Sequence, residues 1–218
     1  MNLTANIIGA TGLVGNQLIQ LLLENSNFKK IRIFVRHDSG IKHQKLEQHI
    51  VSFSEKKVWS KFLKGDILFS TLGTTLSQAG NKDAQYEVDY TFNLNFAKAA
   101  KKNGIKNYIL VSSIGANSKS KIFYLSMKGD LDIAVAKLGF EKLTILRPAS
   151  LVGKRKVKRL AEIITIPAVS FITKLILKKY RPITGEKVAT AMINAAISPT
   201  SEKTVWESRE VFLLAGEK

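Results

Sequence analysis

The 218-residue sequence contains no cysteine, which excludes a disulfide framework, a thiolate nucleophile and a zinc–cysteine site. Its three histidines, His37, His43 and His49, are too few and too scattered for a polynuclear metal centre, and no metal ligand set is expected. His43 and His49 have no catalytic companions and read as surface or local hydrogen-bonding residues. Proline is scarce, 4 residues against 14 glycines. With 45% apolar and 23% charged residues, this excludes collagenous, low-complexity and disordered chains and leaves one globular domain over residues 1–218 as the expectation. The opening segment MNLTANIIGA has neither the basic stretch nor the long apolar run of a secretory signal or membrane span, so the expected location is cytoplasmic. Acidic residues are also sparse. Seventeen Asp and Glu face 34 Lys and Arg, a net charge of +17, which points to polyanionic partners such as nucleotide phosphates, nucleic acid or anionic lipid.

What is present is an alternation of short β-branched runs with helix-like stretches, the rhythm of parallel βαβ units. Strands are expected at Asn6–Ile8, Ile31–Val35, Ile50–Phe53, Asp66–Ser70, Asn107–Val111, Leu143–Leu146 and Thr204–Trp206. Helices are expected from Gly12 to Glu24, where Leu18, Leu21 and Leu22 share a face, and over Val88–Lys102, Tyr124–Leu138 and Thr184–Ile197. Val188, Met192 and Ala195 are placed on the buried side of the last of these, with Met192 as core. The fold class that follows is α/β, a doubly wound, mostly parallel sheet with helices on both faces.

The first strand runs directly into Gly9-Ala10-Thr11-Gly12-Leu13-Val14-Gly15, which opens the first helix. That context suits a dinucleotide fingerprint. Gly9 permits the tight turn, Gly12 admits a pyrophosphate to the backbone, and Gly15 allows close helix packing, while Thr11, Leu13 and Val14 carry amides near the phosphate. At the end of the second strand, where an acidic residue would hold the ribose of NAD(H), stand Arg36 and His37. A guanidinium there gives a forked contact to a 2'-phosphate, so NADP(H) is favoured; Asp38, two residues on, keeps NAD(H) open. After the fourth strand, Leu72, Gly73 and Thr74 are expected to line the adenosine side of the crevice.

Tyr124 and Lys128 lie four residues apart on one helical face, where the ammonium favours phenolate formation and lets the phenol exchange a proton with a substrate oxygen. Ser113, at the end of the fifth strand, is placed to hold that oxygen by a hydrogen bond.

With GATGLVG at 9–15, LGTT at 72–75, SSIGA at 112–116, YLSMK at 124–128 and RPASLVG at 147–153, the chain resembles the short-chain dehydrogenase/reductase superfamily. The combination LGTTLSQAG, VDY, SSIGA, YLSMKG and LRPASLVG is similar to its atypical branch, which includes the Tat-interacting tumour-suppressor protein and its fungal and bacterial relatives. The resemblance implies a Rossmann-like, NADPH-binding protein. In it Tyr124 is the acid/base, Lys128 contacts the nicotinamide ribose, Ser113 orients the substrate with Ser112 as neighbouring alternative, and Pro148, Ala149, Ser150 and Leu151 face the nicotinamide. Where related sequences often carry asparagine in the helix after the fourth strand, this chain has Asp89.

The expected chemistry is hydride transfer between nicotinamide and a small carbonyl or alcohol substrate. Two other classes stay open, an NADPH-binding regulatory or scaffold protein and a nicotinamide-dependent isomerase or epimerase. Between Lys154 and Arg181 stand nine basic residues against Glu162, with an apolar stretch broken by Pro167. Residues 154–185 are expected to form a lid over the substrate cleft. An anionic lipid surface, which would make the protein peripheral to a membrane, an acidic protein partner or an oligomer contact are the alternatives. No nucleic-acid motif accompanies the charge, so nucleic acid is not the expected partner.

Overall fold

A computed structural model of the chain describes residues 1–153, 181–198 and 204–217. The basic segment expected to cover the cleft lies outside these residues except for its end at Arg181–Gly185. There Arg181 is engaged, 3.2 Å from Glu217 and 4.5 Å over the Phe212 ring.

Seven parallel strands form the sheet. They are β1 (Leu3–Ile8), β2 (Phe28–Val35), β3 (Leu46–Ile50), β4 (Ile67–Ser70), β5 (Asn107–Val111), β6 (Lys142–Arg147) and, at the far edge, β9 (Val205–Glu207). The order is β3-β2-β1-β4-β5-β6-β9, so the direction of winding reverses between β1 and β4. A two-stranded parallel ladder, β7 (Leu151–Val152) with β8 (Ile183–Thr184), stands apart from the sheet. The doubly wound expectation is met, and the structure is Rossmann-like.

Because successive strand residues point to opposite faces, the inner strands feed two cores. In β4, Ile67 and Phe69 enter one and Leu68 the other; in β5, Ile109 opposes Tyr108 and Leu110. The first core is closed by α1 (Leu13–Glu24) and by two C-terminal helices, with Leu18, Ile19 and Leu22 against Val188 and Met192. The second is closed by α5 (Asn93–Lys102), α6 (Phe123–Ala136) and Trp59 of α2 (Lys56–Trp59), which stacks on Phe96 with ring centroids 3.7 Å apart. Each such fully buried side chain stabilises the fold by roughly 1.5–3 kcal/mol. Between α2 and α5 come the one-turn helices α3 (Leu76–Ala79) and α4 (Lys82–Tyr86). After β8 follow α7 (Gly185–Ile197), capped by the Thr184 hydroxyl on Lys187 N–H, and α8 (Arg209–Leu214).

Two expectations are corrected. The third strand is Leu46–Ile50, not Ile50–Phe53: Val51 and Phe53 are apolar because they bury in the loop that follows, beside Trp59. The expected helix Val88–Lys102 divides into a π-helical turn over Glu87–Phe92 and α5.

Candidate active site

At the reversal point the chain turns out of β1 at Gly9, whose φ is +77°. A Cβ there would lie 2.4 Å from the Thr71 carbonyl carbon and 2.5 Å from Leu72 N, so only glycine fits. Thr71 ties the ends of β1 and β4 together: its N–H donates to Ile8 O at 3.0 Å and its hydroxyl is shared between Ile8 O and Gly9 O at 2.9 and 3.1 Å. Gly15 lies against this junction, where a Cβ would meet Gly9 O at 2.2 Å. Gly9 and Gly15 therefore set the first turn of α1 onto the strand ends without themselves lining the crevice.

Gly12 is the N-cap of α1, and its N–H donates to Gly9 O at 3.0 Å. The N-cap glycine has no side chain to cap the helix, and its first turn holds no acidic residue. The positive end of the helix dipole therefore faces a cavity of about 450 Å³, lined on this side by Thr11, Gly12, Leu13 and Val14 and on the other by Thr71, Leu72, Gly73 and Thr74. The cavity reaches Val111, Ser112, Tyr124, Lys128 and Leu151. A second cavity, about 610 Å³, shares Leu72, Gly73, Thr74 and Gln78 and ends at Arg36, Ser52 and Ser54. Together they form one crevice across the carboxyl ends of β2, β1, β4 and β5, from Arg36 to Tyr124.

At the Arg36 end the guanidinium is exposed and has no ion-pair partner among the described residues. His37 is exposed and lines neither cavity. Asp38 is turned into its own loop, accepting from Gln48 at 2.7 Å and from Gly40 N–H at 3.0 Å, and the Gln48 contact leads in holding its carboxyl below the usual value.

At the other end, α6 starts at Phe123 and carries Tyr124, half-buried, one turn ahead of Lys128, which is only 3% exposed. The helix is docked on the loop after β5. Asn117 N–H donates to Leu125 O at 3.0 Å, Ser126 Oγ to Ser118 O at 3.1 Å, and a Cβ on Gly129 would lie 2.2 Å from Ser118 N. This brings Ser112 to the cavity wall. Ser113 is not among the lining residues, and its hydroxyl donates to Ile114 O at 3.3 Å. Of the four residues at 148–151, Leu151 lines the cavity and Pro148, Ala149 and Ser150 do not; Pro148 O accepts from Ile114 N at 3.0 Å.

Lys128 Nζ lies 3.5 Å from Asp89 Oδ1, itself 1% exposed. Asp89 Oδ2 accepts the Thr74 N–H at 2.7 Å. Burial pulls an ammonium down, but the charges of Asp89, Tyr124 and Asp132 outweigh it and Lys128 stays above the ordinary lysine value. One turn further along α6, burial pushes the Asp132 carboxyl up against the opposing pull of Ser112 and Arg147, whose Nε lies 2.9 Å from Asp132 Oδ2. The turn bearing Asp89 is held by Asn93, whose Nδ2 donates to Leu72 O, Val88 O and Asp89 O at 3.3, 3.0 and 3.1 Å and whose Oδ1 accepts from Ser70. Asp89 is marked in the sequence as standing where related sequences often carry asparagine, whereas Asn93 carries no signal there.

Residues 9–196 match a protein-family model described as NAD(P)H-binding. The chain belongs to this NAD(P)H-binding family. A mitochondrial protein named FMP52 from Candida albicans is 37% identical over 155 residues, covering 69% of this chain and 68% of its own. Its namesake from Coccidioides immitis is 32% identical over 230 aligned positions, covering 98% and 94%. Among solved structures, the Bordetella bronchiseptica enzyme WbmH in complex with NAD+ superposes with a TM-score of 0.74 at 16% identity, covering 95% of this chain and 75% of that one. The UDP-N-acetylglucosamine 4-epimerase of Methanobrevibacter ruminantium M1 gives 0.68 at 18% identity, covering 94% and 75%. These two share the fold.

Membership of the NAD(P)H-binding family agrees with the resemblance to atypical short-chain dehydrogenase/reductases, and the crevice suits the family's cofactor: the helix terminus at its centre, a glycine junction that no Cβ could enter, and an exposed guanidinium at one end. The expected cytoplasmic location is corrected by the relatives, which are named as mitochondrial.

Proposed function

We propose that the chain is an NADP(H)-dependent oxidoreductase acting on a small carbonyl or alcohol substrate. The observation that carries this reading is the Tyr124–Lys128 pair at one end of a crevice whose other end is an exposed arginine. The bound nicotinamide supplies the hydride acceptor or donor. The amide end of α1 at Gly12, Leu13 and Val14 holds the diphosphate, with Leu72–Thr74 opposite. Arg36, supported by the hydroxyls of Ser52 and Ser54, takes the 2'-phosphate. Asp38 does not oppose this, because Gln48 and Gly40 hold it in its own loop away from both cavities.

Tyr124 gives a proton to the substrate oxygen during reduction and takes it back during oxidation, and the Lys128 ammonium stabilises the phenolate. Of the two serines Ser112 lines the cavity and Ser113 does not, but the Ser112 hydroxyl is buried towards Asp132, so the substrate oxygen is left to Tyr124. The test is cofactor titration followed by turnover with a panel of aldehydes, ketones and alcohols. Tyr124→Phe should keep NADPH affinity within about threefold and lower turnover by about 10²–10⁴. Unchanged turnover removes Tyr124 from the chemistry, equal or tighter NADH binding defeats the NADP(H) assignment, and product without net NADPH consumption identifies an isomerase.

A further inference from the structure

A single helical turn such as α3 is not stable by itself: nucleation fixes several residues for one hydrogen bond, so short helices persist through tertiary packing. Leu76–Ala79 has little of it. None of the four residues is buried, and Leu76 is 45% exposed. The turn is instead defined from its ends. Thr75 Oγ1 accepts the Gln78 N–H at 3.2 Å, and Gly80 closes the turn at φ +88°, a conformation that favours glycine. Held at both ends and packed on little, α3 presents its side chains rather than burying them. The one it presents to the crevice is Gln78, which together with Leu72, Gly73 and Thr74 lines both cavities. Its side-chain amide is exposed and makes no hydrogen bond among the described residues.

We propose that α3 is a clasp on the bound dinucleotide, in which the Gln78 amide donates to the diphosphate from the side opposite the α1 terminus. Gln78 stands where the two cavities meet, between the Arg36 end and the Tyr124 end of the crevice. A diphosphate joining the two nucleoside halves lies at that midpoint. The α1 amides take its inner oxygens, and the outer ones face the mouth of the crevice, where α3 is. A neutral amide suits this place, because it donates to the oxygens without the repulsion a carboxylate would bring. The contact also gives α3 the tertiary anchor that the protein alone does not supply, so that binding and ordering of the turn are coupled. The proposal rests on the placement of the diphosphate at the first turn of α1 and adds an opposing wall to it.

The experiment measures binding of NADPH, NADH and ADP-ribose to wild type, Gln78→Ala, Gln78→Glu and Thr75→Val, with backbone hydrogen exchange at Gln78, Ala79 and Gly80 followed with and without NADPH. These amides carry the hydrogen bonds of the turn, to Thr75 O at 3.0 and 2.9 Å and to Leu76 O at 2.8 Å. Gln78→Ala should weaken all three ligands alike, by about tenfold or more, the value of a hydrogen bond to a charged group. Gln78→Glu should bind more weakly still, because its carboxylate repels the diphosphate. Thr75→Val removes the cap without lining either cavity, and should weaken the ligands by about threefold to tenfold. Saturating NADPH should slow exchange of the three amides by at least about tenfold in wild type and by much less in Gln78→Ala. Since α3 buries nothing, Tm of the ligand-free variants should stay within about 2 °C of wild type. Unchanged affinity in Gln78→Ala, exchange that NADPH does not slow, a loss for NADPH and NADH that spares ADP-ribose, or Gln78→Glu binding as tightly as wild type each overturns the clasp. The underlying placement fails separately: wild-type NADPH affinity in Gly12→Ala removes the diphosphate from the α1 terminus, whereas unchanged affinity in Gln78→Ala alone removes only the clasp.

Discussion

Gly15→Ala offers a sharp test of how the crevice is built. The added methyl would sit 2.2 Å from Gly9 O and 2.8 Å from Thr71 Oγ1, where ordinary contact begins at 3.4 Å. Gly9 O is backbone and cannot rotate away, and Thr71 Oγ1 could do so only by giving up its bonds to Ile8 O and Gly9 O, so the start of α1 must lift by about an ångström. Overpacking of this kind costs about 1–3 kcal/mol. At about 2–4 °C per kcal/mol for a chain of this size, Tm should fall by about 2–12 °C. Displaced by that distance, the helix amides lose hydrogen-bonding range to the diphosphate, and NADPH should bind at least about tenfold more weakly, some 1.4 kcal/mol. Gly12→Ala is the control that separates packing from binding. Its Cβ would lie 3.2 Å from Gly9 O and its φ of −77° suits any residue, so Tm should move by less than about 2 °C while NADPH affinity still drops. Thermal melts and fluorescence titrations of the two variants suffice. An unchanged Tm and affinity in Gly15→Ala, or wild-type affinity in Gly12→Ala, refutes the placement of the diphosphate at this turn.

Arg36→Ala should weaken NADPH binding by about 10–100-fold, the value of a charge-assisted contact, and leave NADH unaffected; equal losses for both cofactors count against a 2'-phosphate at Arg36. Arg147→Met strands the buried Asp132 carboxylate and should cost about 3–5 kcal/mol in urea unfolding, largely recovered by Asp132→Asn in the same chain. His49 is stacked between Phe34 and Phe62, and burial holds its pKa below the ordinary value despite Glu47. The unfolded chain therefore takes up the proton first as pH falls. Stability from His49, fully present above about pH 6.5, is lost as pH drops through the folded-state value. Melts at about pH 7 and about pH 5.5 should show a drop in wild type that His49→Gln lacks.

The parts of the fold legible in the sequence are those where burial is two-sided. β5 matches its expected bounds, Asn107–Val111, because four of its five residues are buried and the run is plainly apolar. β3 is hidden from the sequence pattern because it is the edge strand: four residues of LEQHI are half-exposed and the fifth exposed, so the segment carries little apolar signal, while the apolar residues just beyond it belong to a loop. The ladder of β7 with β8 is too short to show periodicity. In the site, the glycine turn and the Tyr124–Lys128 pair were readable because their spacing is local. The Asp89–Lys128 contact joins two helical segments and is set by packing, so no spacing rule reveals it. The choice between Ser112 and Ser113 likewise depends on which way the loop after β5 turns once Gly129 has docked α6 against it.

The small ladder has a broader consequence. Leu151 pairs with Ile183 and Val152 with Thr184, so two stretches distant in the sequence are held side by side. Both margins of this ladder press on Leu13: a Cβ on Gly153 would come within 2.7 Å of Leu13 Cδ1, and one on Gly185 within 2.7 Å of Leu13 O. Any side chain added at either margin is therefore felt first at Leu13, in the opening turn of α1, so the ladder and the helix terminus at the crevice are mechanically one unit.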